Sequence, residues 1–322
     1  MNEFELIGRY FTRPARRAVL GVGDDCALIA PTAGHELAFS TDMLVEGRHF
    51  LQGTDPEALG HKTLAVNLSD CAAVGAQPRY ALLAGALPDA DEAWLAPFSR
   101  ALFALADRYD VELVGGDTTR GPLTLCVTII GEVPAGRALL RSGAQSGDWI
   151  WLSGELGAAA LGLAVRRNEV DVPEPHRERA IAALERPTPR VELGIALRGI
   201  ATSAIDISDG LAGDLGHILE RSDKGAEIDA GRVPCSDWLR ARLADQSTRE
   251  AALSWTLAGG DDYELCFTAP PALAEKVIEA GREARIAVTP IGRIRDTGGL
   301  IIHDERGHVL APGSLRAFDH FR

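Results

Sequence analysis

Six times along the 322-residue chain a short apolar run closes on glycine or serine beside aspartate. The runs are "GVGDDCA" with Asp24 and Asp25, "AFSTDML" with Asp42, "AVNLSDCAA" with Asp70, "LVGGDTT" with Asp117, "AIDISDG" with Asp206 and Asp209, and "LAGGDDYE" with Asp261 and Asp262. Apolar runs bounded by turn formers read as buried strands, and segments with helical spacing lie between several of them. Strands alternating with helices restrict the chain to a mixed α/β architecture. In such folds ligands collect at element ends, where this pattern sets its acids. Each aspartate taken alone is an ordinary turn former or helix N-cap.

The first half follows βαβ logic. "HELAFSTDML" is a strand, and "DPEALGHKTLAVNLSDCAAVGA" is a helix with Asp55 as N-cap and Pro56 in its first turn. A second helix, "DEAWLAPFSRALFALADRYD", leads through the glycine-rich turn of "VELVGGDTT" into the strand "LTLCVTIIGEVP". The apolar end of "GVGDDCALI" looks like a further strand. After "GRALLRSGAQSGD" a new unit opens with "WIWLSGELGAAALGLAVRR", a strand, a glycine turn and a helix. The boundary is expected between residues 135 and 147, giving domains 1–140 and 141–322, each long enough to bury a core. A helix over 271–284 and strands in "VTPIGRI" and "GGLIIHDERGHVL" close the chain.

Composition removes several function classes. With 46% hydrophobic and 25% charged residues the chain has ordinary globular usage. No apolar stretch reaches the length of a membrane span, and "MNEFELIGRYF" carries acids where a secretory signal carries bases. A cytoplasmic protein without a membrane partner is expected. Cys26, Cys71, Cys126, Cys235 and Cys266 show no C-x-x-C spacing and give neither a zinc site nor a disulfide framework. A net charge of −13 repels a nucleic-acid backbone, so nucleic acid is not an expected partner.

Acids that crowd together repel unless a cation bridges them, and Mg²⁺, a hard ion that shares its oxygen ligands with substrate phosphates, fits this set. Ser40 and Thr41 beside Asp42 add hydroxyl or carbonyl oxygens. For phosphate itself, Gly115 and Gly116 let backbone N–H groups approach an anion, and Ser208 and Asp209 stand just before a helix N-terminus. The P-loop pattern and the protein-kinase signatures are absent, so a nucleotide would be held through metal ions. Arg141 serves as a phosphate partner or a solvated charge, His49 as a substrate contact or a turn cap, and Phe318 as core packing or a stacking ring.

The blocks "GVGDDCA", "STDMLVEGRHF", "KTLAVNLSDCAAVGAQP", "LVGGDTTRGPL", "RSGAQSGD", "AIDISDGLAGDLGHI" and "GGDDYELCF" occur in order. Together they resemble the bacterial thiamine-monophosphate kinases, from about Phe4 to Phe321. The resemblance implies the two-domain fold shared with aminoimidazole ribonucleotide synthetase, in which the N-terminal domain forms a β-barrel across a homodimer. It implies Mg²⁺-dependent, direct in-line transfer of the ATP γ-phosphoryl group to thiamine monophosphate. Carried over by motif, Asp25, Ser40, Thr41, Asp42, Asp70, Asp117, Asp206 and Asp209 would hold Mg²⁺, with Asp42, Asp70, Asp117 and Asp209 at the catalytic centre. Gly116, Asp117, Arg141 and Ser208 would contact ATP, and His49, Asp261 and Phe318 would face thiamine monophosphate. The family often has Glu at the position of Asp261 and Tyr or Trp at that of Phe318, so this chain has a shorter acid and no ring hydroxyl there. Two alternatives stand beside this reading: a sister ATP-dependent synthetase of the same fold, and a non-catalytic Mg-nucleotide sensor.

Overall fold

The computed structural model describes residues 1–304 and 306–310. The chain forms two compact units, one of Met1–Cys71 with Ala76–Gly136, the other of Ala72–Gly75 with the chain from Arg137 onward.

In the first unit, α1 (Glu3–Tyr10) starts at Asn2, whose side chain accepts from Glu5 N–H while the Glu5 carboxylate takes the Asn2 N–H, a reciprocal capping box. There follow β1 (His35–Val45), α2 (Pro56–Ala73), β2 (Gln77–Leu87), α3 (Glu92–Arg108), β3 (Glu112–Arg120) and β4 (Thr124–Pro134). Asp55 accepts from Glu57 N–H just before α2, in keeping with its reading as the N-cap, and Asp91 caps α3 through Ala93 N–H. The two helices approach closely at Gly60, where a Cβ would lie 2.2 Å from the Phe98 carbonyl oxygen.

The sheet order is β1-β4-β2-β3, with β2 parallel to β3 and β4 antiparallel to both its neighbours. The β2–α3–β3 crossover is a βαβ unit with parallel strands, built on two strands that the sequence reading does not place. Leu44, Leu83, Leu125, Val127 and Ile129 are buried. On the other face of the sheet, Phe39 and Met43 are 62% and 54% exposed.

Two local expectations are corrected. "GVGDDCALI" contains no strand: its apolar end makes one isolated bridge, Leu20 to Leu28, which closes a loop over the acids. "VELVGGDTT" is not a turn but strand β3 itself, with Gly115, Gly116 and Asp117 inside it. Gly116, at φ 150°, faces the β2 backbone so closely that a Cβ would lie 1.8 Å from the Leu83 oxygen. Its missing side chain serves strand packing.

The second unit runs β5 (Trp149–Ser153), α4 (Ala158–Arg166), α5 (His176–Glu185), α6 (Val191–Ala196), β6 (Ser203–Asp206), α7 (Leu211–Ser222), β7 (Gly225–Asp229), α8 (Asp237–Ala244), α9 (Arg249–Ala258), β8 (Leu265–Ala269), α10 (Ala274–Glu283), β9 (Val288–Arg295) and β10 (Leu300–His303). Six strands form a mixed sheet in the order β10-β7-β9-β5-β8-β6, with only β10 and β7 parallel. Its core gathers Ile150, Leu152, Ile205, Leu215, Ile218 and Ile291, and a second cluster under α4, α8 and α9 gathers Leu161, Val165, Trp238 and Leu239. No helix among the described residues is long and apolar enough to cross a membrane.

Candidate active site

Alternation along β1 decides which oxygens of "STD" can act together. Ser40 and Asp42 share the face that meets α2: the Ser40 hydroxyl donates to Asp70 Oδ2 at 2.5 Å, and Asp42 N–H donates to Asn67 Oδ1 at 3.2 Å. Asn67 and Asp70 stand three residues apart on α2, the spacing that places both on one helix face. Thr41 points the other way, its hydroxyl 2.8 Å from that of Thr128 on β4. The Thr41 hydroxyl is thus engaged on the face opposite Ser40 and Asp42, and its backbone pairs with Thr128 in the β1–β4 ladder. Burial and then the charge of Asp70 push the Cys71 thiol up, so this cysteine is an inert, buried neighbour of the acid.

The other residues of the first unit are more dispersed. Asp117 is exposed on β3, and its register partner Ala84 pairs in turn with Cys126, which pairs with Met43. This row lies on the face opposite Ser40 and Asp42. Asp24 and Asp25 are exposed in the loop closed by Leu20 and Leu28. His49 follows β1, and its Nδ1 accepts from Val45 N–H at 3.0 Å, which leaves Nε2 as the protonated nitrogen of the neutral ring. It caps the turn that follows β1.

In the second unit two loops lie back to back. After β6 the chain runs through Ile207, Ser208, Asp209 and Gly210 into α7; after α9 it runs through Gly259, Gly260, Asp261, Asp262, Tyr263 and Glu264 into β8. Asp261 N–H donates to the Ser208 carbonyl and Tyr263 N–H to that of Ile207, both at 2.8 Å. Asp261 and Tyr263 adopt φ of 67° and 50°, a conformation that L residues rarely take. The Tyr263 hydroxyl donates to Asp261 Oδ1 at 3.0 Å, fixing the carboxylate beside Ser208 and Asp209. The structure therefore brings Ser208, Asp209 and Asp261 together, with Asp206 at the end of β6 just before them.

Three acids to which the sequence reading gives no site role organise these loops. Asp214, 3% exposed in the first turn of α7, accepts the N–H groups of Asp209 and Gly210 at 3.1 and 3.0 Å. Burial, followed by the charge of Asp206, pushes its carboxyl up to about 7, against the pull of those two N–H groups. Asp262 accepts from Gly157 and Ala159 N–H, and burial raises its carboxyl well above the ordinary range. Glu264 accepts from Arg190 through both carboxylate oxygens and from the Ser153 hydroxyl at 2.5 Å. A spacing signal existed only for Asp214, four residues after Gly210 on the helix; the other two depend on partners more than 70 residues away.

Arg141 is placed elsewhere. Its carbonyl accepts from the Ser222 hydroxyl at the C-terminal end of α7, whereas Ser208 precedes the N-terminus of that 12-residue helix, a span of about 18 Å. Phe318 lies outside the described residues.

Among the described residues no three His, Cys, Asp or Glu side chains form a ready-made metal cage. The donor set still fits Mg²⁺, which typically takes one or two carboxylates from a protein and the rest of its octahedron from phosphates and water. Asp70 with its Ser40 partner, and Asp206 with Asp209 around a carboxyl whose pKa both of them raise, are oxygen pairs of that kind.

Residues 23–133 match the AIR synthase related protein N-terminal domain and residues 145–305 the corresponding C-terminal domain. The chain is 48% identical to the thiamine-monophosphate kinase of Escherichia coli K12 over 99% of its own length and 98% of the relative's. The crystal structure of thiamine-monophosphate kinase from Stenotrophomonas maltophilia K279a, 44% identical, superposes with a TM-score of 0.83 over 95% of this chain and 96% of the other. AaThiL complexed with AMPPCP and TMP, 31% identical, does so at 0.78 over 91% and 89%. With both domain matches in order and identity of this level along nearly the whole length, the chain belongs to the thiamine-monophosphate kinases of the AIR synthase-related family.

Proposed function

We propose that the protein transfers the γ-phosphoryl group of ATP directly to thiamine monophosphate, giving thiamine diphosphate and ADP. The observation that carries this reading is the 48% identity to a thiamine-monophosphate kinase across 99% of the chain. A phosphate acceptor is already largely dianionic at neutral pH, since its second pKa is about 6, and needs little help from a general base. Repulsion between donor and acceptor is the barrier. Mg²⁺ would supply the charge neutralisation that phosphoryl transfer requires. Asp25, Ser40, Thr41, Asp42, Asp70, Asp117, Asp206 and Asp209 would hold it, with Asp42, Asp70, Asp117 and Asp209 the catalytic members.

Gly116, Asp117, Arg141 and Ser208 bind ATP in this reading, and His49, Asp261 and Phe318 receive thiamine monophosphate. Support for Asp261 comes from its fixed position beside Ser208 and Asp209. The protein acts as a homodimer in the cytoplasm, two copies joining their N-terminal sheets into a barrel. The exposed Phe39 and Met43 on the open four-stranded sheet support that pairing.

Purified protein with ATP and Mg²⁺ should form thiamine diphosphate and ADP in equal amounts only when thiamine monophosphate is added. ADP release that does not rise with thiamine monophosphate would point to a sister synthetase. Nucleotide binding without any turnover would point to a sensor.

A further inference from the structure

Asp214 is buried in the first turn of α7, and the donors to its carboxylate among the described residues are backbone N–H groups. Its Oδ2 accepts the N–H groups of both Asp209 and Gly210, the two residues that join β6's exit to α7. A carboxyl four residues into a helix that reaches back to its entry satisfies donors that α7 itself leaves without partners. Gly210 cannot relieve it: at φ 110° it adopts a conformation that L side chains rarely take, and a Cβ there would lie 2.7 Å from the Ala258 carbonyl carbon. On the other side of the same turn, Gly260 meets the Ser208 oxygen at 2.2 Å from its own notional Cβ. Asp261 N–H holds that oxygen at 2.8 Å. The turn is therefore clamped from the side by the Gly259–Asp261 segment, and from the helix by the Asp214 carboxylate on the Asp209 and Gly210 amides together with the Gly213 and Asp214 N–H groups on the Gly210 carbonyl.

We infer that Asp214 is a positioning residue for the reaction: by holding the Asp209 and Gly210 amides it fixes the direction in which the Asp209 carboxylate and the Ser208 hydroxyl are presented to the metal-bound nucleotide. It touches neither ligand. The role needs an oxygen acceptor at the place of Oδ2, and it does not need a charge. This inference rests on the reading of Asp209 as a Mg²⁺ ligand.

The test compares Asp214→Asn, which keeps one acceptor oxygen, with Asp214→Ala, which keeps none, and uses Asp209→Asn as control. In metal-free protein, amide hydrogen exchange in the peptide over residues 207–213 should quicken at least tenfold in Asp214→Ala and stay within threefold of wild type in Asp214→Asn. With Mg²⁺ and the nonhydrolysable ATP analogue AMPPCP, Asp214→Ala should bind at least tenfold more weakly and lose 30-fold or more in kcat, and Asp214→Asn should be within threefold on both. Asp214→Ala with wild-type exchange and binding overturns the inference. So does an Asp214→Asn that loses more than tenfold in kcat, and this second arm decides the matter if Asp214→Ala does not fold. An Asp209→Asn variant with wild-type activity and Mg²⁺ dependence sinks the ligand assignment instead, whatever the Asp214 variants do.

Discussion

Asp262 Oδ2 accepts the Gly157 N–H at 2.8 Å, so a residue of the loop before β8 closes the first turn of α4 more than a hundred positions earlier in the chain. Its second oxygen takes Ala159 N–H at 3.3 Å. Gly157 has no side chain with which to cap the helix, and Asp262 does it from outside. Asp262→Ala should destabilise the second unit by about 2 kcal/mol, the cost of a lost cap and a buried donor without an acceptor. Asp262→Asn, which keeps an acceptor and carries no charge, should cost less than half of that. Because Asp261 precedes it in a strained turn, Asp262→Ala should also raise KM for thiamine monophosphate more than KM for ATP. Unfolding midpoints and the two KM values check both statements, and equal rises in both KM values would count against the coupling.

How much of this was legible in the sequence differs between the two kinds of acid. Asp42, Asp70, Asp117, Asp206, Asp209 and Asp261 stand in motifs that local spacing and the family resemblance both mark. The strands and helices around them follow from capping acids such as Asp55 and Asp91 and from apolar periodicity. Asp262 and Glu264 were not legible, because their roles depend on Gly157, Ser153 and Arg190, which only the folded chain brings near. "VELVGGDTT" was misread as a turn because its glycines signal chain reversal when read locally, while in the fold Gly116 makes room for Leu83. β2 escaped notice for a related reason: "QPRYALLAGAL" follows directly on the apolar end of α2 and has no alternation of its own to mark its start.

The acids should be needed for charge more than for folding. Asp42→Asn and Asp117→Asn each remove one unit of negative charge with almost no change in shape, and the acids repel one another in the absence of Mg²⁺. Each variant should lose at least 100-fold in kcat with an unchanged circular dichroism spectrum and an unfolding midpoint equal to or above that of wild type. A kcat near the wild-type value in either would remove that residue from the metal set.

Direct transfer between two phosphates has a stereochemical signature. One in-line displacement inverts the configuration at phosphorus, and a phosphoenzyme intermediate adds a second displacement that restores it. With ATP made chiral at the γ-phosphorus by oxygen isotopes, the thiamine diphosphate formed should show inversion. Net retention would require a nucleophilic side chain, which none of the proposed roles includes.

Glu132 gives the first unit an acid-sensitive anchor. It is 2% exposed on β4, and burial alone would raise its carboxyl. The N–H and hydroxyl of Thr32, each donating at 2.7 Å, and the Arg79 guanidinium at 3.2 Å outweigh that and hold it below the ordinary value. A carboxyl depressed in the folded state contributes stability above its unfolded pKa and loses it as the pH falls through the folded one. Glu132→Gln leaves Arg79 without its carboxylate and should cost about 3 kcal/mol at pH 7. The difference between variant and wild type should shrink as the pH falls below the ordinary carboxyl value of about 4.3 and through the lower value that the folded chain imposes on Glu132. Urea unfolding at pH 7 and pH 3 measures this, and a gap that stays constant across the range would show that the charge contributes nothing.

The exposed side of the first sheet carries the last expectation. Phe39 and Met43 each stand two positions from Thr41 along β1, so both point to the face that Thr41 and Thr128 share, while Ser40 and Asp42 point to α2. Large apolar side chains left in water on a regular sheet face are the kind of surface that a second copy covers. Phe39→Asp with Met43→Asp would place two carboxylates in that contact, at no cost to the side of the sheet that packs on the helices. Light scattering at micromolar concentration should give a dimer for wild type and a monomer for the double variant, with the helical content unchanged. Because Asp117 lies in the row of Met43 on the substituted face, the oligomeric state and not turnover is the readout. A double variant that remains dimeric would show that the two copies do not meet through this sheet.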